Sequence, residues 1–496
     1  MEIAMRFSDV LRNIKIVRTN ITCFDFCISR VSSSTDSLAY GDVFVCRRGF
    51  RLDGHDYIKE AYARGARSFV VERLTPELLE NDCYRYIQVD DTDLAEAMMQ
   101  NAYFGYPCRN IKLVGITGTN GKTSVSYMLG HILNTLGHRV GIIGTVSSHV
   151  GDTVLSQDST LHGNMTTPSP SALYSTLSKM RGLGADAVVL EASSHALDQR
   201  RVDALGFDLG IFTNLTEDHL DYHKTVSAYK TAKRHLFDLC SAALINTDSD
   251  FGRELADTLS GRVFTYGKNR TADFFATDVC FESGSTSYTA HIDNNAYSVI
   301  CPVPGEFSLY NSLAALSASV ILGESPHDAA KALSTLGQIP GRLEKYTLDS
   351  GASLYIDYAH TPDALKNVLT TLSAIPHNRL ITVFGCGGDR EKQKRPLMGN
   401  IASSMSDITV VTGDNSRSER TSDIIADILS GIEDKSNVLV IEDRKEAILK
   451  AISLSAENDI ILLAGKGHEN YEIIGDTKRY FSEKDIINDF TKTPLE

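Results

Sequence analysis

The stretch that most constrains what this 496-residue chain can fold into is Lys112–Ser124, KLVGITGTNGKTS. A short apolar run (Leu113, Val114, Ile116) breaks at Gly115, Gly118 and Gly121, and Lys122-Thr123 then opens a helical pattern. The order is strand, glycine-rich loop, helix. Glycine lets backbone N–H groups turn toward phosphate oxygens and approach them closely. In such a loop Lys122 reaches the terminal phosphates and the Thr123 hydroxyl binds Mg2+. The strict phosphate-loop pattern asks for glycine where Ile116 stands. From the loop alone, an ordinary glycine-rich βα turn is the alternative.

The rest of the chain sets bounds. Its length exceeds a single core and predicts about three domains of ~150 residues. A net charge of −14 argues against a nucleic-acid surface. Nine scattered cysteines with no CxxC pair read as reduced thiols, which points to the cytoplasm. The start, MEIAMRFSDVLRN, has no long apolar run, and no apolar stretch reaches the ~18 residues of a membrane span. The expectation is a protein without signal peptide or membrane span.

The pattern along the chain is α/β throughout. Residues 1–108 form a first unit, with strands at Asp42–Cys46 and Ser68–Val71, and helices at Asp56–Arg64 and Ala95–Tyr103. Pro107 marks its end. Residues 109–340 form a second unit. Val125, Met128, Leu129, Ile132 and Leu136 recur at helical spacing, and strands follow at Val140–Ile143, Ala187–Leu190, Asp208–Phe212 and Ala242–Ile245. Such alternation predicts a mostly parallel sheet covered by helices. Residues 341–496 form a third unit that alternates again. Its strands are Leu354–Asp357, Leu380–Phe384, Ile408–Val411, Val438–Ile441 and Ile460–Leu463. Its helices are Pro362–Leu372, a segment near Ser422–Leu429, and Asp443–Ser453 with Asp443 as N-cap. Two α/β domains in series imply a ligand cleft between them.

Glu191 ends the strand AVVLE, where open α/β sheets line their crevice. A carboxylate there holds Mg2+ beside a phosphate loop, or is simply a solvated strand end. Ser193-Ser194-His195 follows on the same rim. TNLTEDHLDYH (Thr213–His223) reaches that rim from another strand; His219 is a metal ligand or phosphate contact, and His223 equally a surface residue. In the next helix Val226, Tyr229, Leu236, Phe237 and Cys240 share one face, with Lys233 in its middle. A lysine facing inward is costly and has a lowered pKa. Two readings follow. Lys233 snorkels, or its neutral amine takes up CO2 as a carbamate that binds metal.

In the third unit GCGGDREKQKRP, GDNSRSE and AGKGHE each follow a strand and bring Arg390, Arg417 and Glu469 to one rim. Arginine forks suit carboxylates and Glu469 suits an ammonium, so this rim fits an amino acid. Surface loops with structural salt bridges are the plain alternative.

Taken together, these motifs resemble the Mur ligases, most closely the MurE type. TGTNGKT, EASSHALDQRR, TNLTEDHLDYH, YKTAK, GEFSLYNSLAAL, PGRLE, IDYAHTP and FGCGGDR–KRPLMG occur in order over nearly the whole chain. The resemblance implies a UDP-binding domain, a P-loop-like ATPase and a Rossmann-like domain. It implies an ATP-dependent, ADP-forming ligase that adds meso-diaminopimelate to the D-glutamate of UDP-MurNAc-L-Ala-D-Glu in peptidoglycan precursor synthesis. The carboxylate becomes an acyl phosphate, which the incoming amine displaces.

Carried over by position, Gly118, Thr119, Asn120, Gly121, Lys122, Thr123, Ser124, Asn311, Arg342 and Asp357 serve ATP. Thr123, Glu191, His219 and carbamylated Lys233 serve two Mg2+ ions, and Lys122, Lys233, His219 and Glu191 are the catalytic set. Thr35, Thr166, Thr167, Ser193, Gln199 and Arg201 hold the UDP-sugar peptide. Arg390, Asp414, Asn415, Ser416, Arg417, Gly465 and Glu469 hold the amino acid. The expected partners are these small molecules only, and the expected state is a monomer.

Two departures stand out. The family's D-S-R near the uracil end appears as Ser34-Thr35-Asp36, and D-N-P-R appears as Asp414-Asn415-Ser416-Arg417. Losing the proline loosens that turn. Retained Arg417 favours a substrate with a second carboxylate, hence meso-diaminopimelate over L-lysine or another diamino acid. A folylpolyglutamate synthase-like ligase is a second enzyme reading, which the first domain, with GDVFV and Gly49–Gly54, disfavours. A degenerate regulatory protein of the same fold would have lost Glu191, His219 and Lys233.

Overall fold

The computed structural model describes residues 5–36, 38–49, 52–155 and 165–492. Phe50 and Arg51, within the Gly49–Gly54 stretch, lie outside the described residues. Three sheets organise the chain. The first has five strands in the order Arg18–Thr19, Arg85–Gln88, Ser68–Val71, Val43–Val45, Val31–Ser32, parallel except at the Arg18–Thr19 edge. Helix Thr92–Tyr103 packs on it, capped by the Asp91 side chain accepting from Leu94 N–H.

The central sheet has eleven strands. Lys112–Thr117 sits between Ala187–Glu191 and Leu209–Phe212, parallel to both. All three strands are nearly wholly buried apolar runs, as a sheet covered on both faces requires. Their carboxyl ends all open on one rim, and that is where the candidate residues Glu191, Thr213 and the Gly118–Thr123 loop lie. Phe274–Phe281, Thr286–Ile292 and Asn295–Cys301 extend this sheet as a meander that the reading above leaves unassigned. The strand Thr286–Ile292 alternates buried and half-buried residues without a break, so its period-2 signal is present in TSYTAHI.

Helix Glu306–Ile321 is buried along most of its length and packs against helix Lys122–Thr135 and the meander. Asn311, in its second turn, stands against the phosphate loop at Gly121. The third sheet runs Glu344–Thr347, Ser353–Asp357, Ile460–Ala464, Leu380–Phe384, Ile408–Val411, Val438–Val440, all parallel beyond the first pair. Asp443 caps helix Arg444–Leu454 by accepting from Glu446 N–H. A two-stranded hairpin, Tyr471–Ile474 with Thr477–Tyr480, follows strand Ile460–Ala464 and is not anticipated by the sequence pattern. Among the described residues no helix is long and apolar enough to cross a membrane.

Candidate active site

The phosphate loop is a tight turn held by Asn311, Thr213 and Asn214. Gly121 has φ 89°, and a Cβ there would lie 2.4 Å from Asn311 Oδ1. A Cβ on Gly118 would lie 1.9 Å from Thr213 Oγ1. Both glycines are therefore demanded by close approach, and Ile116, fully buried in the strand, has no such role. Asn120 N–H donates to Asn214 Oδ1 at 2.9 Å, and Thr119 Oγ1 lies 3.1 Å from Tyr229 Oη. Lys122 Nζ donates to the carbonyls of Gly118 and Thr119, both at 2.9 Å. Burial lowers its pKa, against the pull of Glu191 and Asp218.

Behind the loop, Thr123 Oγ1 donates to Glu191 Oε2 at 3.1 Å. Glu191 is fully buried, not a solvated strand end. Thr145 completes its surroundings, with its hydroxyl at 2.9 Å and its N–H at 3.2 Å. Thr145 Oγ1 also reaches Thr166 Oγ1 at 3.0 Å. Arg342 crosses from the third sheet's side and donates from Nη2 to Thr123 Oγ1 at 3.1 Å. Asp357 spends its two oxygens on the N–H groups of Leu343 and Ala359, so it shapes the turn that carries Arg342.

Lys233 is buried, beside Tyr229, Ala232, Leu236 and Phe237 on helix Val226–Asp238. Its Nζ lies 4.4 Å from the Tyr229 ring centroid. No carboxylate pairs with it among the described residues, and burial, with Lys122 adding repulsion, drives its pKa well below the usual lysine range. The snorkelling alternative fails because the amine does not reach solvent. His219, in a left-handed turn at φ 56°, stands 3.4 Å from Asp218 Oδ2 and edge-on to His195. Its side chain is 45% exposed on the cleft wall, and the partial desolvation there, with the nearby Lys122, Lys233 and His360, lowers its pKa, so the ring is neutral at neutral pH and able to ligate. His223, read as equally a surface residue, is buried and bonded to Ser194 Oγ at 2.9 Å.

The donor set suits Mg2+. Among the described residues no three His, Cys, Asp or Glu side chains gather into a metal cage. Mg2+ needs none, since it takes one or two carboxylates and completes its shell with phosphate oxygens and water. Thr123 and Glu191 meet that description. A cavity of about 900 Å3 joins the loop to His219, Asn311, Arg342 and Asp363. Asp363, absent from the reading above, accepts from Asn120 Nδ2 at 3.0 Å across the cleft. It sits two residues beyond the quoted IDYAHTP run's histidine-threonine pair, at the start of helix Pro362–Ser373.

A second cavity of about 790 Å3 is lined by Thr35, Asp36, Arg47, Gln199 and Tyr222. Arg201 does not face it openly: its guanidinium donates to Thr167 O at 2.7 Å and Gln199 Oε1 at 2.7 Å. Thr167 Oγ1 donates to Glu191 O, and Ser193 Oγ caps a short helix by accepting from Ala196 N–H. These three residues tie the second cavity to the metal rim rather than line it.

On the third sheet, Arg390 and Arg417 come from adjacent loops. A Cβ on Gly387 would lie 2.9 Å from Arg417 Nη1 and 3.7 Å from Arg390 Cγ. Neither arginine is ion-paired among the described residues, and burial followed by Arg390 lowers the pKa of Arg417. Asn415 Nδ2 donates to Glu469 Oε2 at 2.9 Å, and Tyr471 Oη to Glu469 Oε1 at 3.2 Å. Fully buried Lys466, another residue the reading passed over, donates to Asn415 Oδ1 at 3.2 Å. It lies inside the quoted AGKGHE run. Ser416 is buried, and a Cβ on Gly465 would lie 2.9 Å from Asp414 Oδ2.

Comparison with known proteins agrees with this geometry. Three family models match in order: Mur ligase family, catalytic domain, at residues 28–103; Mur ligase middle domain at 116–319; and Mur ligase, glutamate ligase domain, at 341–467. A UDP-N-acetylmuramoyl-L-alanyl-D-glutamate--2,6-diaminopimelate ligase of Clostridioides difficile (strain 630) is 38% identical over 98% of this chain and 99% of its own. The enzyme of that name from Geobacter metallireducens is 40% identical over 90% and 91%. A solved structure with the same name superposes with TM-score 0.68 at 27% identity, covering 98% of both chains. A Mycobacterium tuberculosis folylpolyglutamate synthase shares the fold at TM-score 0.62 and 18% identity, over 75% of this chain.

Proposed function

The chain belongs to the Mur ligase family, and we propose that it joins meso-diaminopimelate to the D-glutamate carboxylate of UDP-MurNAc-L-Ala-D-Glu at the expense of ATP. The relatives' names support this substrate, and one observation on this chain carries it: two arginines with no ion pair among the described residues, Arg390 and Arg417, share a rim with the carboxylate of Glu469. That rim offers cations for carboxylates and an anion for an ammonium. The far end of meso-diaminopimelate carries both groups; lysine's carries only the ammonium.

The reaction has two steps. The D-glutamate carboxylate attacks the terminal phosphorus of ATP, giving an acyl phosphate and ADP. The amine nitrogen then attacks the acyl carbon, the C–O bond to phosphate breaks, and orthophosphate leaves with the electron pair. Backbone N–H groups of the Gly118–Thr123 loop and Lys122 bind and orient the triphosphate. Thr123 and Glu191 would hold Mg2+, which would supply charge neutralisation on the phosphates. Arg342, bonded to Thr123, brings a further positive charge to the transferred group.

For Lys233, the proposal is a carbamate. Its buried amine, carrying no acid partner and a low pKa, attacks CO2; the N–C bond forms and one proton leaves. The product is an anion that, with His219, would hold a second Mg2+ ion. Thr35, Asp36 and Gln199 face the UDP-sugar cavity, with Thr166, Thr167, Ser193 and Arg201 linking it to the metals. The domain limits proposed are 1–108, 109–340 and 341–496. Every group invoked comes from one chain, so the reading needs only a monomer, and its use of ATP argues for the cytoplasm.

The test is ADP release with UDP-MurNAc-L-Ala-D-Glu, comparing meso-diaminopimelate with L-lysine. Turnover with meso-diaminopimelate and little with lysine is the expected result. Robust turnover with lysine alone overturns the substrate, and none with any amino acid overturns the ligation.

A further inference from the structure

We propose that Glu419 and Arg395 form a positioning pair that sets the spacing of Arg390 and Arg417, and through it the selection of an amino acid with a second carboxylate. This rests on the amino-acid site proposed above. Arg390 lies in the loop after strand Leu380–Phe384, and Arg417 in the loop after strand Ile408–Val411. Two guanidinium groups repel each other, so loops that carry them side by side need an anchor that holds them together.

Glu419 is that anchor. Its carboxylate accepts from Asp389 N–H at 2.7 Å, next to Arg390. It accepts from both ends of the Arg395 fork, Nη2 to Oε1 at 2.8 Å and Nη1 to Oε2 at 2.9 Å. Lys392 adds a contact at 3.2 Å. The Arg395 side chain is wholly buried and also donates to Gly387 O at 3.2 Å. One acid two residues after Arg417 thus grips the other segment at residues 389, 392 and 395, and Arg395 in turn ties that segment to Gly387 O. The loops are close enough to interlock: a Cβ on Gly388 would lie 1.9 Å from Ser416 O, and Gly388 N–H donates to Asn415 O at 2.9 Å. Arg417 itself donates to Gly388 O at 2.7 Å.

A bidentate Arg–carboxylate pair fixes both distance and orientation, which a single bond does not. A small error in the placement of paired cations costs binding of the group they clamp more than it costs the chemical step elsewhere. Neither Glu419 nor Arg395 is placed to touch substrate. Both act through Arg390 and Arg417.

The experiment is steady-state kinetics of Glu419→Gln and Arg395→Lys on the full chain, varying each substrate in turn. The expected result is a rise in KM for meso-diaminopimelate of about tenfold, with kcat and KM for ATP changed by less than about twofold. Discrimination against L-lysine should fall by a similar factor, and Glu419→Asp should restore part of it. Asp427→Asn is the control for packing, because Asp427 bonds the same guanidinium at 2.8 Å from outside the two loops. It should leave KM for meso-diaminopimelate unchanged. An equal rise in Asp427→Asn, or an unchanged KM in Glu419→Gln, overturns the pair. Arg417→Lys separates the two claims. If it too leaves that KM unchanged, the amino-acid site itself is wrong; if it raises KM while Glu419→Gln does not, only the positioning pair fails.

Discussion

The Thr123 hydroxyl donates to Glu191 at 3.1 Å although 68 positions separate the two residues. The bond exists because strand Ala187–Glu191 pairs directly with strand Lys112–Thr117, placing Glu191 level with Ile116 at the carboxyl end of the sheet. The phosphate loop and the carboxylate proposed to hold Mg2+ thereby share one rim. Glu191→Gln keeps the shape but removes the charge and turns one acceptor oxygen into a donor. ADP release should fall by about 10²–10³-fold with a raised Mg2+ requirement. Activity within a factor of a few of the parent would remove Glu191 from the metal site.

Lys233→Ala should abolish turnover while the protein stays folded, since the substitution takes a buried amine, with the Tyr229 ring beside it and no ion pair among the described residues, out of an apolar face. High bicarbonate should not restore it. Intact mass of the parent protein under CO2 should show the carbamate adduct, lost on acidification. Turnover like the parent's in Lys233→Ala would refute the role.

Arg417→Lys keeps the charge and loses the planar fork. KM for meso-diaminopimelate should rise by about 10–50-fold, because a point charge does not reproduce a bidentate contact. ATP affinity, read by the same assay, should hold. A rise in KM for ATP instead would place Arg417 on the nucleotide.

Asp363→Ala cuts the bond from Asn120 Nδ2 that spans the cleft. One hydrogen bond of about 1 kcal/mol predicts a KM for ATP raised about fivefold. Unchanged KM for ATP would show that the phosphate loop does not depend on this strut.

Acid should loosen the third domain in a defined window. Burial works to raise the pKa of Asp414, but Lys466, Arg444 and the Asn415 N–H outweigh it and hold the carboxyl at about 2. Its folded pKa lies below its unfolded value of about 3.9, so the stability it contributes is present above pH ~4 and lost as pH falls toward ~2. The contribution is about 2 kcal/mol. Urea unfolding at stepped pH should show this slope, and Asp414→Asn should flatten it. A slope that persists in Asp414→Asn assigns it elsewhere.

Much of this was legible in the chain itself. The strand–loop–helix order at Lys112–Thr135 follows from local pattern: apolar run, glycines, then helical spacing. So does the inward face of helix Val226–Asp238, because helical periodicity alone decides which side chains point together. The meander at Phe274–Cys301 was missed although its alternation is clear, because short Thr- and Ser-rich strands read equally well as loop. The hairpin at Tyr471–Tyr480 has strands of only four residues each, too short for a period to stand out.

What the sequence determined by itself is therefore local: where backbone conformation needs glycine, which faces are apolar, which residue types stand at strand ends. What only the tertiary structure decided is which of those ends meet. Parallel pairing brought Glu191 beside Thr123 and buried it, and packing left Lys233 without an acid. The cleft set Asp363 against Asn120, and loop interlock put Glu419 on Arg395. No spacing encodes these contacts, because each depends on chain segments far apart in sequence whose distance is set by the sheet order and not by the residues between them.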